Sequence, residues 1–122
     1  MAHILIVEDE AQVLIMAESY LAEHGHETHS ASSIAEAIAI LEADKPIDIL
    51  FTDLGLMHDG PQAGLELAKQ AVERRPNLKV LYTTGQTVTD GMRALFVPKA
   101  ALLEKPYTVH QLSAQVRALE QG

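Results

Sequence analysis

The sequence predicts an α/β protein, a doubly wound parallel sheet of five strands covered by five helices. Short apolar runs alternate with longer stretches whose apolar residues return every three or four positions, the pattern of repeated βα units. The third run, Asp48–Thr52, is apolar through its middle without alternation, as a strand covered on both faces requires. The 122 residues hold no internal repeat, low-complexity tract or linker, so a single domain spanning 1–122 is expected, long enough to bury its own core.

The elements follow in strict alternation. The first strand is His3–Val7 (HILIV), and Leu14, Ala17 and Leu21 form the apolar stripe of the helix after it, with Glu18 alongside. Gly25 marks the turn into a weaker strand, Glu27–Ser30. Ser32-Ser33 is an N-cap pair for a helix bearing Ile34, Ala37, Ile38 and Leu41. After the strand Asp48–Thr52 and Gly64, Leu65, Ala68 and Val72 mark a third helix, which Pro76-Asn77 stops. Val80–Thr83 is the fourth strand. Between Val88 and Val97 the pattern is loose, and Gly91 costs about 1 kcal/mol relative to Ala inside a helix, so the fourth helix is predicted to be the least stable. Ala101–Leu103 is the last strand, and Thr108 caps a final helix bearing Val109, Leu112, Val116 and Leu119. Crossovers between parallel strands are right-handed.

Composition excludes several classes of function. There is no cysteine, so disulfides and thiolate metal sites are excluded. The formal net charge of −8 repels a phosphate backbone and leaves no basic stripe, which argues against nucleic-acid binding. The opening MAHILIVEDE has no basic start, and its apolar segment is too short for a signal peptide or a membrane span. A reducing cytoplasm is the expected location.

In an open parallel sheet, functional groups gather beyond the carboxyl ends of the strands. Glu8-Asp9 ends the first apolar run, Asp53 ends the third, and Lys105-Pro106 ends the last. Each has a bland alternative: acidic residues suit a helix start, Asp suits a turn, and an exposed lysine is ordinarily solvated. Together they place three acidic groups and one ammonium at one rim, an arrangement that needs a cation between the like charges. A hard ion such as Mg2+ takes oxygen ligands. Asp9 and Asp53 are candidate direct ligands, the Gly55 carbonyl a third, and Glu8 is placed to hold a coordinated water. Thr83-Thr84-Gly85 ends the fourth strand, where a hydroxyl can donate to a phosphoryl oxygen, although two β-branched residues also simply suit a strand end. Lys105 would neutralise charge on transferred phosphate, and Pro106 holds it out of the helical region. The histidines of His24-Gly25-His26-Glu27-Thr28-His29 straddle a turn, so a transition-metal site is not expected there. His3, His58 and His110 stand alone, and Met57, Met92 and Phe96 are read as apolar contacts.

VEDE at Val7–Glu10, TDL at Thr52–Leu54, TTG at Thr83–Gly85 and EKPY at Glu104–Tyr107 occur in order across essentially the whole chain. In this the sequence resembles the receiver domain of bacterial two-component response regulators. The resemblance implies a flavodoxin-like fold with strand order 2-1-3-4-5, and Mg2+-dependent transfer of a phosphoryl group from a sensor histidine kinase or histidine phosphotransfer protein to Asp53. It implies metal binding by Asp9, Asp53 and the Gly55 carbonyl, with Glu8 acting through water. Thr84 would move toward the phosphoryl group, Lys105 would contact it, and the Lys105-Pro106 bond would be cis. Gly55 and Gln86 would flank the path of attacking water and tune the lifetime of the phosphorylated state. No catalysis beyond the domain's own phosphorylation and dephosphorylation is implied.

Three features qualify the resemblance. Most receivers carry an aromatic residue three positions before the lysine, and here Leu102 stands there. With Tyr82-Thr83-Thr84-Gly85, this partly matches a subgroup of mostly single-domain receivers, common in α-proteobacteria, that carry a Phe-Ala-Thr-Gly motif. The segment His58–Gly64 is longer in turn residues than in many receivers, and a mobile loop is expected there. No output domain is expected after the final helix, so the signal would leave by protein contact at the fourth helix, fifth strand and fifth helix, with Met92, Leu95, Leu102 and Tyr107 as contacts. Two other functions remain open: a phosphorylation-independent adaptor with a receiver fold, and a phosphohydrolase. The second is disfavoured because haloacid-dehalogenase-like phosphatases place a second aspartate two residues after the nucleophile, where this chain has Gly55.

Overall fold

The computed structural model describes residues 1–57 and 59–122, so His58 lies outside the described residues. Five strands and five helices alternate along the chain: β1 His3–Val7, α1 Ala11–Glu23, β2 Glu27–Ala31, α2 Ile34–Glu42, β3 Ile49–Asp53, α3 Ala63–Arg74, β4 Lys79–Thr84, α4 Asp90–Ala94, β5 Ala101–Glu104 and α5 Val109–Gln121. The strands form one sheet in the order β2-β1-β3-β4-β5, and every pairing is parallel.

Alternation along the strands divides the interior into two cores. Ile4, Ile6, Ile49, Phe51, Leu81 and Leu103 face Ala17 and Leu21 of α1 and Leu112, Val116 and Leu119 of α5. Leu5, Val7, Leu50, Val80 and Tyr82 face Ala37 and Leu41 of α2 and Leu67, Ala68 and Ala71 of α3. Because helices cover both faces, β3 is buried at all five positions, which explains the unbroken apolar run in the sequence. Burying each such side chain contributes roughly 1.5–3 kcal/mol.

The boundaries differ from the sequence expectation in instructive places. β3 is one residue shorter at its start, at Ile49, although Asp48 stays tied to β1: its N–H donates to the His3 carbonyl at 2.7 Å and its side chain accepts the His3 N–H at 2.8 Å. β3 and β4 each run one residue further than expected, so Asp53 and Thr84 are the last residues of their strands. The expected N-caps are present: Ser33 accepts the Glu36 N–H, and Thr108 forms a reciprocal capping box with Gln111. α4 is only five residues long and buries none of them, the structural counterpart of its loose pattern.

Hydrogen bonds flank the segment expected to be a mobile loop after β3, whose first residue, His58, lies outside the described residues. The Leu56 N–H donates to the Gly60 carbonyl at 3.0 Å, and the Gly60 N–H returns to the Leu56 carbonyl at 2.7 Å. Gly60 has φ +115°, which a side chain would strain, and Leu56 is buried beneath the turn.

Candidate functional site

Strand register brings the site together. β1 and β3 pair with Val7 opposite Thr52, so the next residues, Glu8 and Asp53, emerge side by side. β3 and β4 pair with Asp53 opposite Thr83, and β4 and β5 pair with Thr84 opposite Glu104, which delivers Lys105 one step beyond the sheet. With period-two alternation, Glu8, Asp53 and Lys105 all project toward the α1–α5 side of the sheet.

The side chains converge closely. Lys105 Nζ donates to Asp53 Oδ2 and to Glu8 Oε1, both at 2.7 Å, and Glu10 lies 3.9 Å away. Glu8 and Asp53 are buried, at 3% and 8% exposure, so these are charge-assisted bonds largely shielded from water. Burial pushes the Glu8 carboxyl above its ordinary value, against the pull of the Lys105 ammonium. Burial alone would lower the Lys105 pKa, but its hydrogen bonds to Asp53 and Glu8 outweigh that effect and hold it above the usual lysine range. The Lys105-Pro106 peptide is cis, as the resemblance implied.

Asp9 stands beside this pair, its carboxylate accepting the Met57 N–H. Gly55 N–H donates to Asp53 Oδ1 at 3.3 Å. Glu8, Asp9 and Asp53 each present an oxygen within 4.8 Å of the others, the one such acidic group among the described residues. Three carboxylates facing a single ammonium, all with hard oxygen donors, fit a divalent ion of the Mg2+ or Ca2+ kind and give no purchase to a soft one. A cavity of about 490 Å³ opens over Asp9, Asp53, Gly55, Thr84 and Lys105, with Met57 and Met92 at its margin.

Thr84 is buried at the rim, and its Oγ1 accepts the Gln86 N–H at 3.0 Å, which leaves the hydroxyl proton available to a ligand. Thr83 points to the opposite face; its buried Oγ1 has no hydrogen-bond partner among the described residues, and its side chain lies near Glu8 and Tyr107. Tyr107 packs against Phe51 with ring centroids 6.0 Å apart, and burial raises its phenol pKa, with the Glu8 charge adding to the shift. Leu102 pairs with Tyr82 across the sheet. Tyr82 is fully buried, its ring lies against Phe96 at 4.4 Å, and its hydroxyl accepts the Val97 N–H at 3.3 Å.

The histidines scatter: His24 Nδ1 lies 2.9 Å from the Tyr20 carbonyl, while His26 Nδ1 accepts the Ala2 N–H at 3.0 Å. They form no metal-binding group among the described residues.

Sequence reasoning missed Gly64. A Cβ there would lie 2.1 Å from the Asp53 carbonyl oxygen, so only glycine lets α3 start against the end of β3. Its N–H donates to the Leu54 carbonyl at 2.7 Å, tying the helix to the strand that carries Asp53. The signal available in sequence was a glycine at a helix start, where it costs helix stability without an evident return.

Residues 4–117 match the family described as response regulator receiver domain. Among solved structures, a response regulator receiver protein from Sinorhizobium medicae is 33% identical, with TM-score 0.88, over 99% of this chain and 95% of that one. A receiver domain protein from Methanospirillum hungatei, 23% identical over 99% of this chain and 95% of that one, shares the fold with TM-score 0.86. The response regulator SaeR of Staphylococcus aureus is 26% identical over 98% of this chain, and the chain spans half the length of that relative. With family match, strand order and acidic rim in agreement, this chain belongs to the response regulator receiver domain family.

Proposed function

We propose that Asp53 is the phosphoacceptor, receiving a phosphoryl group from a phosphohistidine on a sensor histidine kinase or histidine phosphotransfer protein. The observation that carries this is the Lys105 ammonium bridging Asp53 and Glu8 at 2.7 Å, next to Asp9 and beneath an open cavity. An Asp53 carboxylate oxygen attacks phosphorus and forms a P–O bond as the donor's P–N bond breaks. The electron pair leaves with the imidazole nitrogen, and the product is an acyl phosphate.

Asp9, Asp53 and the Gly55 carbonyl would hold Mg2+ directly, with Glu8 acting through a bound water. When bound, the ion supplies positive charge that offsets the carboxylates and the phosphoryl oxygens. Lys105 already carries its proton at Asp53 and stabilises the charge that develops on the transferred group. The Thr84 hydroxyl donates its free proton to a phosphoryl oxygen, drawing the end of β4 toward the site. Turnover of other substrates is not part of this reading, since no second carboxylate stands two residues after Asp53.

Output by protein contact at α4, β5 and α5 is supported by Leu95, 61% exposed, and by the partly exposed Met92 and Leu102. Leu102 opposite a buried Tyr82 also supports membership of the Phe-Ala-Thr-Gly subgroup, with the aromatic bulk carried on β4. A cytoplasmic site of action fits a chain without cysteine and, among the described residues, without a helix long and apolar enough to cross a membrane. Its charge of −8 supports protein rather than nucleic-acid partners.

Incubation with Mg2+ and a small phosphodonor adds one phosphoryl group by intact mass spectrometry, and Asp53→Ala abolishes it. An unmodified wild-type chain, or a label on another residue, overturns the assignment.

A further inference from the structure

We propose that Asp59 is a positioning residue for the metal-binding loop. It pins the turn Leu56–Gly60 to the start of α2 and, through that turn, sets the Asp9 carboxylate and the Gly55 carbonyl. This rests on the reading of the site given above. Asp59 Oδ2 accepts the Ile34 N–H at 2.9 Å, across 25 residues of chain. Ile34 is the first residue of α2, and its amide has no acceptor within the helix. A carboxylate there also complements the helix dipole. The cap Ser33 serves the Glu36 amide, and Glu36 in turn accepts the Ser32 N–H at 3.1 Å, so neither satisfies Ile34.

The same turn reaches the site from its other side. Met57 N–H donates to Asp9, and Gly55, whose N–H touches Asp53, immediately precedes the turn. Among the described residues, the turn is bonded to other elements by Asp59–Ile34, by Met57–Asp9 and by the Ala63 N–H of α3, which donates to the Gly60 carbonyl at 3.3 Å; of these, Asp59–Ile34 is the tie to α2. Without Asp59, the turn keeps its bond to α3 and the buried Leu56 but loses its tie to α2, and it orients the Asp9 carboxylate less firmly. Asp59 therefore acts on ion binding through geometry, as partners behind a metal ligand do, and does not touch the ion itself.

The test uses three variants of the full chain, read by calorimetric Mg2+ titration and by amide hydrogen exchange in metal-free protein. Asp59→Ala weakens Mg2+ affinity about threefold to tenfold, less than the full worth of one hydrogen bond to a charged group because the effect reaches the ion through the turn, and speeds exchange at Ile34. Asp59→Asn keeps an acceptor oxygen and retains most of the affinity. Ile34→Pro removes the donor at a helix position that tolerates proline. It reproduces the weakening, and Asp59→Ala adds nothing further in that background. The proposal is overturned if Asp59→Ala binds Mg2+ as wild type does. It is equally overturned if Asp59→Asn is as weak as the alanine variant, since charge and not the tether would then be responsible. Wild-type protein that binds no Mg2+ defeats the reading of the site, and unchanged Ile34 exchange in metal-free Asp59→Ala defeats the tether separately.

Discussion

The two ends of the sheet treat charge in opposite ways. At the amino edge, charged groups are answered by backbone or by terminal partners. Arg75 donates to the carbonyls of Leu41, Ala43 and Lys45 and so caps the end of α2, with Nη2 at 2.8 Å from the Ala43 oxygen. Lys79 Nζ donates to the Leu119 carbonyl at 3.1 Å, Asp48 accepts from His3, and the N-terminal ammonium meets Glu120 at 3.2 Å. The cavity at that edge, about 540 Å³, is thus larger than the one over Asp53, but its charged groups already have partners. At the carboxyl edge, three carboxylates cluster beside one ammonium, which pairs with the two buried ones, Glu8 and Asp53. Size alone would pick the wrong end, whereas uncompensated charge picks the end that needs a ligand. Saturated polar groups stabilise a fold, while unsaturated ones store a demand that a cation and a phosphoryl group can meet.

Substitutions can break this contrast. The largest effect is expected from Gly64→Ala at the carboxyl edge. A methyl group 2.1 Å from the Asp53 carbonyl forces two backbones apart, at a cost of at least about 3 kcal/mol. Urea unfolding followed by circular dichroism measures it, and phosphorylation should fall with stability because β3 carries Asp53. A variant of wild-type stability would show that α3 can shift freely against β3.

Arg75→Ala comes next, at the amino edge. It leaves three carbonyls without their charged donor and costs about 2–3 kcal/mol. Phosphorylation in the surviving folded fraction should match wild type, and a loss of activity at full stability would contradict the separation of the two edges.

Glu8→Gln gives the smallest shift and has the opposite sign. Burial raises the Glu8 pKa in the folded state, so its protonated form is the one the fold prefers. The stability linked to that proton is full below the ordinary carboxylate value near 4.5 and is lost as pH rises through the raised value. The neutral glutamine should therefore increase the melting temperature at pH 7, with the gain vanishing below pH 4.5, while Mg2+ affinity falls. A melting temperature that drops at neutral pH would mean that the bond to Lys105 outweighs the burial cost.

Legibility in the sequence tracked how local the determining physics is. β1, β3, α2 and α5 were readable because apolar period and capping residues act within a few positions, as with Ser33 and Thr108. β2 was weak because its residues are mostly partly exposed at the sheet edge. α4 lacked a buried residue to mark its face. Asp53, Glu8, Asp9 and Lys105 could be picked out because each ends an apolar run. The bonds made by the loop after β3, Leu56 to Gly60 and Asp59 to Ile34, could not be read because they leave no periodic trace. The role of Arg75 left no sequence signal for the same reason, as its acceptors lie 30 to 34 residues away.

By itself, then, the order of residues determined the alternation of elements, the parallel sheet and which side chains reach its rim, since hydrophobic period and strand ends are properties of neighbours. Tertiary structure decided that Lys105 bridges Glu8 and Asp53, that Gly64 must lack a side chain, and that Asp59 reaches α2. Those contacts join residues 11 to 97 positions apart, and only packing of the finished sheet and helices determines the distances between them.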